Sequence, residues 1–319
     1  MPKLESNLPL YSWQDTQQTP SSVVIAVHGL TMHGGVFDTM AKSLASQGAV
    51  VYAPDLRGYG RWMSDAKYQK SGKDPNQLDY AQSYEDLLSL VKAARAQHPG
   101  LPLFLVGESL GADMALHVAS SVPDQIDGLV LSSPAIKHSY FVLPLVAHTG
   151  EFLINPHRKI SLIPFIKKLA SEDPQIVAGA VEDPLVRKHL TAFELFQTCN
   201  AVKSSLDYAK KIPANMPILV IQGGADRMVH SNAVVLLLEQ LKSTDQTVRW
   251  FSNRGHLLLE TAYMKSDTME TVDGWLADHT KKLTTVAHNK TTTEPALATN
   301  GASSAIIQAS LTGNEVPTE

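Results

Sequence analysis

Leu101-Pro-Leu-Phe-Leu-Val-Gly-Glu-Ser-Leu-Gly-Ala-Asp-Met-Ala-Leu116 is the stretch from which the fold can be read. An apolar run too short for a helix, residues 103–106, meets Gly107-Glu-Ser-Leu-Gly111, and a helix-forming segment follows at once. The reading is strand, tight turn, helix. A serine at such a turn is pressed into a cramped backbone conformation, so the residues two places away on either side must lack bulk. Gly107 and Gly111 supply that. The strain aims the hydroxyl of Ser109 outward, and the first N–H groups of the new helix surround it with positive potential, which suits an anion forming nearby. A glycine–serine turn without chemistry can match the same pattern. The strand before it and the helix after it favour the catalytic reading.

Working outward, residues 22–27 form a continuous β-branched run ending in His28-Gly29, as expected of a strand buried on both faces of a parallel sheet. Residues 34–47 read as a helix with Phe37, Met40, Ala41 and Leu44 on one face, and residues 49–53 as the next strand. Pro54-Asp-Leu-Arg-Gly-Tyr-Gly60 is a loop, and residues 61–77 are polar and irregular. Residues 78–97 carry Tyr84, Leu87, Leu88, Val91 and Ala94 at helical spacing, and residues 127–134 run from a strand into a turn. This alternation implies right-handed βαβ units. Between residues 135 and 216 the rhythm breaks: prolines interrupt short apolar helical pieces, the pattern of an inserted helical cap. Residues 217–222, 231–242, 247–251 and 261–283 then read as strand, helix, strand and closing helix. Residues 10–13 suit an edge strand, and residues 284–319 lack periodicity and read as a disordered tail.

The chain has 319 residues, 44% hydrophobic and 18% charged, with a formal net charge of −4. Lys and Arg are scattered, so no nucleic-acid partner is expected. Cys199 is the only cysteine, which excludes an internal disulfide framework and a thiolate metal cluster. The first residues lack the apolar core of a secretory signal, and no run of about 18 apolar residues occurs. The expected location is the cytoplasm. No His-Glu-x-x-His, paired-Cys or Walker-type motif is present, so neither cofactor nor metal is expected.

A serine hydroxyl needs a base within hydrogen-bond reach, itself held in the right tautomer by a carboxylate. Asp226 follows a buried strand and two glycines, and His256 follows another strand and a glycine. In an open α/β sheet such carboxyl-end loops converge on one crevice. Ser109, Asp226 and His256, in that order, form the expected triad. An oxyanion hole needs two backbone donors, here the N–H groups of Leu110 and Leu30. His28 reads as a loop brace, Arg57 as a residue that holds its loop through a buried ion pair or hydrogen bonds, with direct substrate contact as the other reading, and Glu108 and Asp113 as first-turn carboxylates favoured by the helix dipole rather than as catalytic groups.

With these residues in view, the sequence resembles the monoacylglycerol lipase and lysophospholipase branch of the α/β-hydrolases, grouped with serine aminopeptidase-like proteins. His28-Gly-Leu30, Pro54-Asp-Leu-Arg-Gly-Tyr-Gly60, Gly107-Glu-Ser-Leu-Gly111, Ser132-Ser-Pro-Ala135, Asp183-Pro-Leu185, Gln222-Gly-Gly-Ala-Asp226 and Gly255-His256 carry the resemblance. It implies an α/β-hydrolase core (residues 21–134 and 217–283), a helical cap (135–216) above an acyl tunnel, and a serine ester hydrolase acting on monoacylglycerol-like or lysophospholipid-like esters. Members of the group commonly carry His where Glu108 stands, and glycines where Ala112 and Asp113 stand, a difference that bears on substrate and subfamily. The expected partner is a small ester or lipid. The apolar segment Tyr140-Phe-Val-Leu-Pro-Leu-Val-Ala147 in the cap would permit transient contact with a membrane surface, although a plain packed helix is the other reading. Rival functions are a short-chain carboxylesterase, a thioesterase, peptidase or carbon–carbon hydrolase using the same triad, or a ligand-binding receptor of this fold.

Overall fold

The computed structural model describes residues 8–68, 76–136 and 155–293, the last helix with side chains to residue 285. Five β-branched or apolar runs and one more polar edge segment form strands of one sheet: β2 (Ser22–Val27), β3 (Ala49–Pro54), β4 (Leu103–Glu108), β5 (Gly128–Ser132) and β8 (Ile218–Gly223), with β9 (Gln246–Phe251) at the edge. They lie parallel in the order β3-β2-β4-β5-β8-β9. The seventh strand, β1 (Leu10–Trp13), pairs antiparallel along the outer edge of β3.

Alternate residues of each central strand feed opposite cores, as the two-residue period of a strand requires. Ile25, Leu105, Leu131 and Val220 face one side, and Ala26, Val106, Val130 and Ile221 the other. Helices α3 (Tyr80–Gln97), α4 (Leu110–Ser121) and α9 (Ser231–Gln240) cover the first side through Leu87, Leu116 and Leu237. Helices α1 (Asp38–Ser46) and α10 (Ser266–Thr293) cover the second through Met40, Leu44, Val272 and Leu276. Burial on both faces is why these strands read as continuous apolar runs.

Several boundaries differ from the sequence reading. Residues 34–37 form a 3-10 turn before α1, because Asp55 takes the N–H of Gly34 and the ring of His33 takes that of Gly35. One helical turn, α2 (Arg61–Ser64), breaks the irregular stretch after Gly60. α10 starts at Ser266 and continues to Thr293, beyond the expected stop at residue 283. Thr284 and Thr285 return their hydroxyls to the carbonyls of Thr280 and Lys281.

Between β5 and β8 the described residues form α5 (Ile163–Leu169), α6 (Pro174–Glu182), α7 (Ala192–Val202) and α8 (Ser205–Ala209). They are not wholly helical: β6 (Lys159–Ser161) and β7 (His189–Thr191) pair as a short antiparallel ribbon. The apolar segment 140–147 lies outside the described residues. Among the described residues no helix is long and apolar enough to cross a membrane.

Candidate active site

At the carboxyl end of β4 the chain turns through Ser109 with φ 56° and ψ −119°, a left-handed conformation that side chains rarely adopt. The turn closes only because its flanks have no side chains. A Cβ on Gly111 would lie 1.9 Å from the carbonyl oxygen of Val27, and one on Gly107 2.3 Å from that of Gly111. The N–H of Ser109 donates to Ser132 on β5 at 2.9 Å, and its carbonyl accepts from Ala112 in α4 and from Ala135. Ser109 is thereby fixed to the next strand as well as to its own helix.

Asp226 and His256 reach the same edge from β8 and β9. Nδ1 of His256 donates to Oδ2 of Asp226 at 2.8 Å, with both side chains almost fully buried. The second oxygen of Asp226 caps its own turn by accepting from the N–H groups of Met228 and Val229, and the amide of Gln222 donates to Oδ2. The two loops touch through Gly223, where a Cβ would sit 2.0 Å from the carbonyl oxygen of Gly255. Burial opposes charge on Asp226, but the imidazole and three further donors prevail and hold its carboxyl below the usual aspartate range. Burial likewise opposes a charged His256, yet Asp226 and, farther off, Glu108 raise its affinity for a proton above the ordinary histidine value.

Leu30 lies just past Gly29 at the end of β2. A Cβ on Gly29 would be 3.3 Å from that of Ser109, so this segment lies directly against the serine. Leu110 is the first residue of α4. The Leu30 loop is braced from several directions. Nδ1–H of His28 donates to the carbonyl of Gly29 while its Nε2 accepts from the N–H of Leu56, an arrangement that requires a neutral ring, and burial lowers its pKa to about 4. Thr31, at φ 73°, accepts from the N–H of Arg187, and His33 donates to Asp183 at 2.9 Å. His28 is therefore a brace, as the sequence suggested, between its own loop and that of Leu56. Arg57 forms a two-pronged ion pair with Asp86, its guanidinium stacked on Trp62.

Glu108 departs from the first-turn role expected of it. It is the last residue of β4, fully buried, and accepts from the hydroxyl of Ser132 and from the N–H groups of Leu258, Leu259 and Glu260. Asp113 does lie in the first turn of α4, buried, and burial drives its carboxyl well above the usual range. Three further residues were not legible as parts of the site. Ser133, at φ 41°, donates its hydroxyl to the carbonyl of His256, Gln222 supports Asp226, and Glu260 accepts from the N–H of Gly29. Ser133 and Gln222 lie inside quoted motifs. Glu260 had one signal, an acid closing the apolar run Leu257-Leu-Leu259.

Comparison with known proteins agrees with this architecture. Human monoglyceride lipase is 28% identical over 84% of this chain and 86% of its own length. A monoacylglycerol lipase of Mycolicibacterium smegmatis is 25% identical over 82% and 89%. The crystal structure of Paleococcus ferrophilus monoacylglycerol lipase superposes with a TM-score of 0.64 at 27% identity, covering 86% of this chain and all of that one. A soluble variant of Saccharomyces cerevisiae monoglyceride lipase shares the fold, with a TM-score of 0.69 at 16% identity over 88% of this chain and 97% of its own. The profile of the family described as serine aminopeptidase, S33, matches residues 18–261, and the chain thus belongs to that family of α/β-hydrolases and is a serine hydrolase.

Proposed function

We propose that the chain is a carboxylic ester hydrolase that cleaves monoacylglycerol-like or lysophospholipid-like esters through an acyl-enzyme. The observation that carries the mechanism is the buried His256–Asp226 pair at the same sheet edge as the strained Ser109. The hydroxyl of Ser109 attacks the ester carbonyl as Nε2 of His256 takes its proton. Asp226 keeps Nδ1 protonated and steadies the imidazolium. The N–H groups of Leu30 and Leu110 hold the oxyanion, His256 returns the proton to the leaving alcohol, and a water molecule repeats the sequence on the acyl-enzyme. Because His256 works as a base only when neutral, kcat/KM falls as pH drops through its raised pKa.

The names of the relatives support the substrate class, since the alignments span 86% and 89% of the length of a monoglyceride lipase and a monoacylglycerol lipase. In this reading residues 135–216 cap the carboxyl edge of the sheet over the acyl chain and provide any transient contact with a lipid surface. A single cysteine suits a reducing compartment, and we place the chain in the cytoplasm on that ground. The test is a chain-length series of p-nitrophenyl and monoacylglycerol esters, with thioester and amide counterparts, run beside Ser109→Ala and with fluorophosphonate labelling. Preference for long-chain monoacylglycerols and labelling lost only in the variant is the expected result. A sharp optimum at two to four carbons would replace the lipid substrate with short-chain esters, and labelling without turnover of any ester would make the pocket a receptor site.

A further inference from the structure

Two carboxyl groups, Glu108 and Glu260, are fully buried beside the candidate triad without being part of it. Glu108 stands one residue before Ser109 and points back under the sheet edge. Its two oxygens meet three successive backbone N–H groups, those of Leu258 at 2.9 Å, Leu259 at 3.2 Å and Glu260 at 3.0 Å, and the hydroxyl of Ser132 at 2.5 Å. Successive N–H groups converging in this way form an anion-binding nest. The nest begins two residues after His256, so the carboxylate ties the histidine loop to the nucleophile strand. Glu260, at the far end of the nest, directs Oε1 to the N–H of Gly29, immediately before Leu30. Its Oε2 has no hydrogen-bond partner among the described residues.

We infer that Glu108 and Glu260 are positioning residues that share one proton, an anionic Glu108 holding the His256 loop and a neutral Glu260 holding the Leu30 loop. The groups that face Glu108 are the Ser132 hydroxyl on β5, the three N–H groups after His256, the His256 imidazole and Glu260. Those that face Glu260 are Glu108 and the Gly29 N–H. Burial raises both carboxyls, and the like charge of Glu108 adds to the rise at Glu260, whereas four donors and the imidazole restrain the rise at Glu108. Two buried carboxylates that feel each other's charge cannot both ionise cheaply, so the charge stays where the donors are. A neutral Glu260 also removes the uncompensated charge that Oε2 would otherwise carry.

The inference rests on the catalytic roles proposed above, and its test separates the two. pH profiles of kcat and KM with p-nitrophenyl butyrate are compared for the full chain and for Glu108→Gln, Glu260→Gln and Glu260→Ala. Glu108→Gln is expected to lower kcat by about 10- to 100-fold through misplacement of the imidazole, with KM within about twofold. Its acid limb moves to lower pH, because loss of the anion weakens proton binding by His256. Glu260→Gln, a neutral group for a neutral group, leaves the acid limb in place and retains activity that Glu260→Ala loses. An unmoved limb and unchanged kcat in Glu108→Gln, or a displaced limb in Glu260→Gln, would overturn the assignment. If Glu108→Gln does not fold, infrared spectra decide: Glu260→Gln must remove a protonated-carboxyl C=O band from the wild-type spectrum at neutral pH, and persistence of every such band rejects the shared proton. Full turnover by Ser109→Ala would instead sink the hydrolase mechanism itself.

Discussion

The turn at Ser109 and the loop at His256 bring two halves of one site together by opposite means. The serine turn is local: its backbone angles, its two glycines and the helix it starts lie within a few consecutive residues. The histidine loop owes little to its own sequence. Asp226 from β8, Glu108 from β4, Ser133 after β5 and Ala170 after α5 hold it, the last by accepting from the N–H groups of His256 and Leu257. In the proposed mechanism the site therefore pairs a nucleophile whose strain is stored in backbone geometry with a base whose position is the sum of several distant polar contacts. The first should fail all at once, and the second contact by contact.

Mutations test that contrast, beginning with the chemistry common to both halves. Ser109→Ala should lower kcat by about a millionfold with the fold intact, measured by single-turnover hydrolysis and thermal unfolding. Asp226→Asn, which keeps the shape of the site but disturbs the histidine tautomer, should cost about 10⁴-fold in kcat at neutral pH. Gly111→Ala should act on the fold: the 1.9 Å approach to a backbone carbonyl can be relieved only by moving β2 or α4. It should lower the free energy of unfolding by at least about 4 kcal/mol in denaturant titrations. An active Gly111→Ala variant of normal stability would show that the serine turn is less rigid than its geometry indicates.

Two smaller effects sharpen the comparison. The pKa of His28 is depressed from 6.5 to about 4, so the unfolded chain binds the additional proton between those values. Its contribution is complete above pH 6.5 and is lost as pH falls toward 4, on the order of 3 kcal/mol in all. Because the pKa of His256 is shifted upward, kcat/KM should fall at higher pH than stability does, and parallel pH series of both would show it. The smallest change is expected for Ser133→Ala, which removes one of the contacts on the histidine loop and should raise the barrier by about 1 kcal/mol. If that variant were as damaging as Asp226→Asn, the histidine loop would be as indivisible as the serine turn.

Most of the sheet was legible because strands buried on both faces must be continuously apolar, and the serine turn because only glycines fit beside it. Asp226 and His256 could be singled out because each follows a strand and a glycine at the edge where such loops converge. Boundaries were harder. The ribbon of β6 and β7 is three residues on each side and mostly exposed or half-buried, so it leaves no hydrophobic period to read. Thr-rich residues 284–293 resemble a loop in composition, yet they continue a helix already nucleated upstream.

The amino-acid sequence by itself determined the layered α/β architecture, the cramped serine and the order of the proposed nucleophile, acid and base, since each follows from short-range sterics or from the periodicity of burial. Only the tertiary structure decided what Glu108, Glu260, Ser133 and Gln222 do. An acid in a strand or after three leucines has no meaning until distant N–H groups close on it. Hydrogen bonds between residues 150 positions apart, such as that from Leu258 to Glu108, leave no pattern along the chain.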